Sequence, residues 1–309
     1  MEERIIGRFE GHEQGPLLIC IGGMHGNEPA GISAIKEVFS LLQIEPAVNQ
    51  GFTYRGNFIG VRGNLRALER QQRYTSRDLN RMLIAKEMDL IRGNDPLTWS
   101  DEDIERFDLI NTIEAEIKKY NPPLTLILDF HTTTADGGIF TIAGEDEESR
   151  RLALGLHAPV ILGISEGLEG TTIEYFNKPF ANCYCIVFEA GQHTDPDCVH
   201  RSVAAIINCM RSIGAVDPED VDHRHDGLLI SQSAGLPPLT RLVYHYRIKE
   251  GENFRMKQGY QNFQAIQKGE ELAFNQEGSI LSPFDGMILM PKYQSQGEDG
   301  FFIIQPVDN

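Results

Sequence analysis

The chain has 309 residues, of which 41% are hydrophobic and 24% charged, and its formal net charge at pH 7 is −17. This composition is typical of a globular protein, and the length favours one large domain with a smaller second one. The negative charge argues against nucleic acid and acidic membrane surfaces as partners, because both attract proteins through positive charge.

The sequence has no apolar stretch of the ~20 residues that a membrane span requires, and it starts without the apolar run of a signal peptide. We therefore predict a cytoplasmic protein that does not bind membranes. The five cysteines are scattered along the chain. An odd, dispersed set predicts reduced core residues rather than a disulfide framework or a cysteine-rich zinc site.

Strand and helix patterns alternate along the first two thirds of the chain. A short apolar run followed by glycines predicts a buried strand, and apolar residues at helical spacing predict a helix. Such alternation predicts an α/β fold, with a mostly parallel or mixed sheet flanked by helices. The predicted strands are residues 17–21, 57–61, 124–130, 159–164 and 183–189, and the predicted helices are residues 29–43, 101–120, 145–157 and 196–213.

Beyond residue 218 the pattern changes to short extended runs separated by glycine and proline turns. This change predicts an α/β domain over residues 1–218 and an all-β C-terminal domain over residues 219–309. His223, His225 and Asp226 lie at the junction, where a polar linker in contact with solvent is the favoured interpretation.

Arginine is concentrated in one segment of this acidic chain. Residues 55–81 contain seven arginines and only two acidic residues. Because arginine binds carboxylates and phosphates through paired hydrogen bonds, the segment predicts a local site for an anion.

The decapeptide GGMHGNEPAG, residues 22–31, connects the first predicted strand to the first predicted helix. It contains His25 and Glu28, a pair whose spacing occurs in this chain about as often as chance predicts. Position is more informative, because two other predicted strands end in His131 and Glu189. The carboxyl ends of parallel strands meet at one edge of a sheet, so we expect these four side chains to lie together.

Three of these side chains suit a zinc ion. Two imidazoles and one carboxylate, from His25, His131 and Glu28, leave a fourth zinc position for water, as in hydrolytic zinc sites. Glu189 is then a candidate to accept a proton from this water and return it to a leaving group. The sequence therefore predicts a hydrolase with one Zn²⁺ per chain.

Two other interpretations of these motifs are weaker. A phosphate loop would need a G-x-x-x-x-G-K-[ST] or G-x-G-x-x-G pattern, which the decapeptide lacks, and Glu28 would repel an anion. A thiol nucleophile at Cys183 or Cys185 would lie inside an apolar strand, where a thiol is poorly reactive.

Four motifs together resemble the succinylglutamate desuccinylase/aspartoacylase family, a branch of the zinc carboxypeptidase-like hydrolases. In chain order they are GGMHGNEPAG, RGNLRALERQQRYTSRDLNR, LDFHTTT and FEAGQ, and they span residues 22–192. The resemblance implies a carboxypeptidase-like α/β fold and hydrolysis of an N-acylated amino acid, such as an N-succinyl or N-acetyl amino acid. The expected partner is thus a small anionic substrate, and a homo-oligomer is one open alternative for the assembly.

The resemblance also implies roles for individual residues at the reacting centre. His25, Glu28 and His131 would bind zinc, and Glu189 would serve as general base and general acid. Arg73 would contact the substrate, polarise its scissile carbonyl and stabilise the developing oxyanion, an effect worth about 3 kcal/mol in such sites.

Further residues would contact the rest of the substrate. The resemblance implies that Asn80 and Arg81 hold a substrate carboxylate, in agreement with the arginine-rich segment. It also implies that the C-terminal domain packs beside the site and narrows access to it. Tyr293, in that domain, is a predicted contributor to the substrate pocket.

One departure from the family pattern affects the expected substrate. Aspartoacylase-like members have an arginine shortly after a Thr-Thr pair, whereas Ile173 follows Thr171 and Thr172 here. The region is more similar to the desuccinylase branch, and N-acetylaspartate is the less favoured substrate. A zinc carboxypeptidase or an ester hydrolase is the alternative activity, and a zinc-binding protein without turnover is the third hypothesis.

Overall fold

Fourteen strands and nine α-helices build the part of the chain that the computed structural model describes, residues 2–177 and 180–307. The strands are β1 (Ile5–Glu10), β2 (Glu13–Gly22), β3 (Arg55–Arg62), β4 (Thr125–Thr133), β5 (Phe140–Ile142), β6 (Val160–Leu162), β7 (Cys183–Gln192), β8 (Leu239–Arg247), β9 (Arg255–Met256), β10 (Gln264–Ile266), β11 (Glu271–Asn275), β12 (Gly278–Leu281), β13 (Gly286–Leu289) and β14 (Asp299–Pro306). The helices are α1 (Ala30–Val48), α2 (Leu65–Arg70), α3 (Ala85–Gly93), α4 (Asp101–Tyr120), α5 (Glu147–Leu154), α6 (Ile164–Gly167), α7 (Thr172–Phe176), α8 (Asp197–Ser212) and α9 (Arg224–Gln232).

Eleven strands of this described part form one mixed sheet, in the order β1–β3–β2–β4–β7–β5–β6–β8–β14–β13–β10. Its centre, from β3 to β7, is parallel, and so are the pairs β5–β6 and β6–β8. The remaining pairs in the sheet are antiparallel. A small antiparallel sheet, β12–β11–β9, lies in the C-terminal segment. The predicted α/β fold with a mixed sheet is confirmed.

Helices cover both faces of the sheet, which explains why β2 is apolar at successive positions. Leu18 and Cys20 join the core on the side of α1 and α8. Leu17, Ile19 and Ile21 join the core on the side of α4. Because successive side chains of a strand point to opposite faces, a strand covered on both sides needs apolar residues at every position.

Helix α4 has the boundaries that its sequence predicts. The side chain of Ser100 accepts a hydrogen bond from the backbone of Asp103, and the Asp103 side chain accepts one from the backbone of Ser100. This capping box satisfies amides at the helix start that have no partner within the helix. The helix ends at Asn121, whose backbone is left-handed, and two prolines follow. Its apolar stripe packs on the sheet below the site.

The C-terminal segment differs from the predicted all-β domain in two respects. It starts with helix α9, which packs against α8. Only Leu229 of this helix is fully buried, so its sequence lacks the apolar stripe that would reveal a helix. In addition, β8 pairs in parallel with β6, so that β8, β14, β13 and β10 extend the main sheet.

The domain boundary between residues 218 and 219 stays a prediction. Residues 1, 178–179 and 308–309, which fall within the two predicted domain ranges, lie outside the described residues. All five cysteines are free and buried, as predicted. None of the described helices is long and apolar enough to cross a membrane.

Candidate metal centre and active site

The glycine-rich decapeptide forms a tight turn between β2 and α1, as the sequence predicts. The backbone amide of Glu28 donates a hydrogen bond of 3.1 Å to the carbonyl of His25. Gly23 has a φ of +72°, and a Cβ at Gly26 would lie only 2.1 Å from the backbone of Ala67. Glycine is required at both positions, because a side chain would strain the turn or collide with its neighbour.

His25, Glu28 and His131 meet in a buried cluster at the carboxyl edge of the sheet. His25 Nδ1 lies 2.9 Å from Glu28 Oε1, and His131 Nδ1 lies 3.2 Å from both His25 Nδ1 and Glu28 Oε2. One potential ligand atom from each residue lies within 4.8 Å of the others, and each residue is at most 5% exposed. This cluster is the one candidate metal site that the described residues form.

A carboxylate contacts the second ring nitrogen of each histidine of the cluster. His25 Nε2 lies 3.1 Å from Asp78 Oδ1, and His131 Nε2 lies 3.1 Å from Asp129 Oδ2. When the Nε2 atoms donate their protons to these carboxylates, both Nδ1 lone pairs remain free beside Glu28. Carboxylates orient metal-binding histidines in the same way in other proteins. The residues present therefore fit a bound metal ion.

The carboxylate of Glu28 keeps its negative charge inside the cluster. Its Oε2 accepts a hydrogen bond of 3.0 Å from the backbone amide of Thr132. Burial opposes the charged form, but His25 and His131 outweigh it and hold the pKa of Glu28 well below its ordinary value. The cluster thus presents an anion and two imidazoles to one point, which is the chemistry that a metal cation requires.

Glu189 lies next to His131, because the two residues are partners in the parallel register of β4 and β7. Its carboxylate is buried, and Oε2 has no hydrogen-bond partner among the described residues. Burial raises the pKa of Glu189 to about 8, although His131 and Arg73 act in the opposite direction. A carboxyl group with a free oxygen and a pKa near neutrality is suited to proton transfer.

Arg73 reaches the cluster from the loop after α2. Its Nε and Nη2 donate to Asp78 Oδ2 at 3.2 and 2.9 Å, and its Nη1 lies 3.4 Å from Glu28 Oε1. The backbone amide of Arg73 donates to Gln296 Oε1 at 3.2 Å. Asp78 therefore holds both His25 and Arg73, and it couples the position of the cation to that of the metal cluster.

Asn80 and Arg81, the residues predicted to hold a substrate carboxylate, line the cavity, and both already have partners within the protein. Asn80 Oδ1 accepts a hydrogen bond of 3.0 Å from the backbone amide of Thr172. Arg81 forms an ion pair with Asp299 of β14, and Asp299 Oδ1 lies 2.8 Å from His245 Nε2. The Arg81 guanidinium is thus tied to the C-terminal strands.

Tyr293 lies outside the site, in contrast to its predicted role in the substrate pocket. Its hydroxyl accepts a hydrogen bond from the backbone amide of Tyr260 and donates to backbone carbonyls, at 3.1 Å for Lys257 and 3.0 Å for Tyr260. Its ring packs in the core of the C-terminal segment. The neighbouring Lys292 lines the cavity instead.

Four polar residues of the C-terminal segment line the cavity and are absent from the predicted site: Lys292, Gln294, Gln296 and Asp299. They lie in or beside the loop between β13 and β14, where the sequence has no periodic pattern. His193, four residues after Glu189, also lines the cavity, and its Nδ1 lies 2.7 Å from Thr132 Oγ1. Its place just past a strand end is the signal that could have identified it.

The residues named above as lining residues share one cavity with the metal cluster, with about 870 Å³ of empty space including its solvent-exposed mouth. The metal cluster, Arg73 and Glu189 contribute polar atoms to its lining. The rest of the lining includes threonines and Ser165, and it also includes apolar side chains from both parts of the chain, among them Ile142, Leu168, Ile173, Val187, Met290 and Phe302.

Comparison with known proteins agrees with this arrangement. The family model of the succinylglutamate desuccinylase/aspartoacylase catalytic domain matches residues 14–213. The chain belongs to this family. The family comprises deacylases that act on N-acyl amino acids, and all of the predicted metal ligands lie within the matched range.

The succinylglutamate desuccinylase/aspartoacylase fold extends beyond the matched range. A succinylglutamate desuccinylase/aspartoacylase from Rhodobacter sphaeroides is 15% identical, with a TM-score of 0.66 over 98% of this chain and 88% of the other. The succinylglutamate desuccinylase from Chromobacterium violaceum is 17% identical, with a TM-score of 0.62 over 98% and 88% of the two chains. At these identities the two structures establish the shared fold.

A curated relative covers less of the chain. The protein named “Probable aspartoacylase” from Nostoc sp. (strain PCC 7120) is 32% identical over 127 residues, which is 41% of this chain. The match spans 38% of the length of that relative. It supports membership of the family.

Proposed function

We propose that the protein is a zinc-dependent deacylase that hydrolyses the amide bond of an N-acylated amino acid. The observation that carries this proposal is the position of Glu189. Its buried carboxyl has an unpaired oxygen, and it lies in the same cavity as the metal cluster, directly beside His131. A protein that merely bound a metal would have no need to bury this group without a partner.

The donor atoms of the cluster suit zinc. His25, His131 and Glu28 would provide two nitrogens and one carboxylate, which is the three-ligand set of hydrolytic zinc sites. When bound, the ion supplies positive charge that polarises a water molecule and the amide carbonyl. Asp78 and Asp129 orient the two imidazoles for this purpose.

Glu189 transfers the proton in the proposed reaction. Its carboxylate accepts a proton from the attacking water, and the carboxyl then donates that proton to the departing amine. A nearby cation favours the charged carboxylate, so the pKa of about 8 that burial imposes would fall when the metal cluster is loaded. The group can therefore act as a base first and as an acid afterwards.

The cations around the cavity hold the substrate in this proposal. Arg73 stabilises the negative charge that develops on the carbonyl oxygen, because its guanidinium already lies against Glu28 at the metal cluster. Arg81 and Asn80 contact the substrate carboxylate. For that purpose Arg81 shares its guanidinium between Asp299 and the substrate, which is feasible because an arginine has five N–H donors.

Replacement of Glu189 tests the mechanism. We expect Glu189→Gln to retain zinc but to lower kcat by about 10²–10⁴-fold, because the amide cannot accept or return the proton. The measurement combines metal analysis with hydrolysis of a panel of N-acetyl, N-succinyl and N-formyl amino acids.

The matched control is Glu277→Gln, the same substitution at an exposed position in a surface turn. It should change neither zinc content nor kcat. Near-normal turnover of the Glu189→Gln protein on a substrate that the wild type hydrolyses would contradict the proposed role.

The alternative activities can be separated in the same assay. Short peptides and esters of the same acids, tested beside the N-acyl amino acids, would reveal a carboxypeptidase or an ester hydrolase. The cavity favours a small substrate, because Lys292, Gln296 and Asp299 line it from the C-terminal segment. A protein that binds zinc but hydrolyses no member of the panel would instead support the third hypothesis, a zinc-binding protein without turnover.

A further inference from the structure

We infer that the apolar part of the cavity binds an apolar group of the substrate, so that the preferred substrates are N-acyl amino acids with an apolar acyl chain or side chain. This inference rests on the proposed deacylase function and specifies its substrate class. The surface concerned, called the apolar lobe below, consists of Ile142, Leu168, Ile173, Val187, Met290 and Phe302.

The floor of the apolar lobe lies within reach of the reacting amide. Val187 precedes Glu189 by two residues on β7, so both side chains point to the same face of the sheet. Their Cα atoms are about 7 Å apart, the rise of two strand residues. Ile142 is the antiparallel partner of Val187 on β5. A substrate whose amide lies at Glu189 therefore places one of its substituents near this hydrocarbon surface.

The walls of the apolar lobe are fixed by the core behind them. Ile173 of α7 and Phe302 of β14 belong to the same hydrophobic cluster as Ile142 and Val187, and their exposed fractions are 4% and 2%. The Phe302 ring stacks on the ring of His245, with centroids 4.5 Å apart. These side chains cannot turn away from the cavity without opening the core, so this part of the apolar lobe is a preformed surface.

The apolar lobe contrasts with the charged part of the cavity. Lys292 Nζ donates to the carbonyl of Ser295, an uncharged partner, and so keeps its positive charge available to a substrate carboxylate. Arg81, which contacts the substrate carboxylate in the proposed function, is also paired with Asp299. A second carboxylate on the substrate, if placed in the apolar lobe, would lose its hydration without gaining a charged partner there. The geometry therefore favours one carboxylate and one apolar group.

Two series of substrates test the inference with the zinc-loaded enzyme. The first varies the acyl group on alanine from formyl through acetyl, propionyl and butanoyl to hexanoyl, with succinyl for comparison. The second varies the amino acid of N-acetyl substrates through glycine, alanine, valine and leucine, with aspartate for comparison. We expect kcat/KM to rise about fourfold per added methylene in one of the series until the apolar lobe is filled. The series that responds shows whether the acyl chain or the side chain occupies it.

A near-isosteric substitution assigns the effect to the apolar lobe. Val187→Thr places a hydroxyl on the floor of the apolar lobe, and kcat/KM should then depend less on the length of the apolar chain. Val203→Thr is the matched control, since Val203 is a buried valine of α8 in the core on the opposite face. The Val203→Thr variant should show the same dependence of kcat/KM on chain length as the wild type. Thermal unfolding of both variants verifies that each is folded under the assay conditions.

The outcomes separate this inference from the proposed function. Hydrolysis with the same kcat/KM along both series, or with a preference for succinyl and aspartyl substrates, would contradict the inference that the apolar lobe binds an apolar group. The proposed deacylase function would still hold. If no N-acyl amino acid is hydrolysed, the proposed deacylase function is wrong. In that case, calorimetry of N-hexanoylalanine and N-acetylleucine with zinc-loaded Glu189→Gln protein tests the inference separately. Absence of binding for both compounds would contradict it.

Discussion

At the scale of single residues, the two histidines of the cluster are built alike. Each directs Nδ1 toward Glu28 and Nε2 toward an aspartate, Asp78 for His25 and Asp129 for His131. Asp129 is completely buried, and besides its contact with His131 it accepts a hydrogen bond from the Thr172 hydroxyl at 2.8 Å. The two aspartates thus select one tautomer for each imidazole and fix the ring orientation before any metal binds.

Removal of the negative charge at Asp129 should weaken metal binding. An asparagine at this position can present its amide NH₂ to His131, which would favour the wrong tautomer. We expect Asp129→Asn to lower zinc affinity by about 10–100-fold. Competition with a chromogenic chelator measures this change directly, and it needs no enzymatic assay.

The control for Asp129→Asn is Asp89→Asn, which makes the same replacement at an exposed residue of α3. It should leave zinc affinity unchanged. If the Asp129→Asn protein kept its zinc against the chelator as well as the wild type does, Asp129 would not orient His131.

At the scale of elements, strands β8 and β14 are tied to the turn that follows Asp78. Arg81 of that turn pairs with Asp299 of β14, and Asp299 contacts His245 of β8. Burial opposes the charge of Asp299, but Arg81 and His245 outweigh it and hold the pKa of Asp299 well below its ordinary value. One carboxylate therefore connects three elements.

The low pKa of Asp299 fixes how its contribution to stability depends on pH. Because the charged form is favoured in the folded protein, the contribution is present above the unfolded pKa of about 3.9 and is lost as the pH falls further. We expect Asp299→Asn to lower the free energy of unfolding by about 1–3 kcal/mol at neutral pH, less than for a fully buried pair. Urea unfolding at pH 7 and 5 should give the same difference from wild type, and the difference should narrow at pH 3.

A neighbouring residue provides the control for this prediction. Glu298 forms an ion pair with Arg247, but both side chains are more than 60% exposed. Glu298→Gln should therefore cost less than about 1 kcal/mol, as is usual for surface pairs. Equal losses in the two variants would mean that the contact of Asp299 with Arg81 and His245 adds nothing beyond a surface charge.

At the scale of the whole molecule, the C-terminal strands are part of the main core. Leu289, Phe302 and Ile304 are buried in the same cluster as the residues of α4 and β2, and β8 supplies the backbone partner of β6. Without them, β6 would be an open edge and a large apolar surface would face water.

A chain that ends at residue 218 should therefore not fold on its own. We expect it to lack a cooperative urea transition and to bind zinc weakly, since Arg73 would also lose Gln296. Circular dichroism during urea titration of the truncated and full-length chains measures this. A sharp, reversible transition in the truncated chain would show instead that the predicted domain of residues 1–218 is independent.

The positions of the metal ligands and of Glu189 could be predicted because they depend on local patterns. Continuous apolar runs marked β2, β4 and β7, and parallel strands place their carboxyl ends at one edge. His25, Glu28, His131 and Glu189 each follow or end such a run, so their meeting point was implied by the chain order.

The C-terminal side of the cavity could not be predicted in this way. Met290 has a φ of +49°. This left-handed conformation is usually indicated by a glycine, which the sequence lacks at this position. The change in chain direction at Met290 brings Lys292 to the cavity and sends Tyr293 into the core behind it. The pairing of Arg81 with Asp299 joins residues 218 positions apart, and no local pattern encodes such a contact.

The continuous ladder of strands from β7 through β5, β6 and β8 to β14 has a consequence for how ligands exchange. It runs without a break from Glu189 to Phe302, so backbone hydrogen bonds join the two sides of the cavity. Hinge-closing enzymes open along a flexible connection between two bodies. Here a hinge motion would have to break strand pairing. We therefore expect the entrance of the cavity to have the same width in the free and in the ligand-bound protein. Ligands would then be discriminated by their fit to a cavity of fixed shape, without a rearrangement of the backbone.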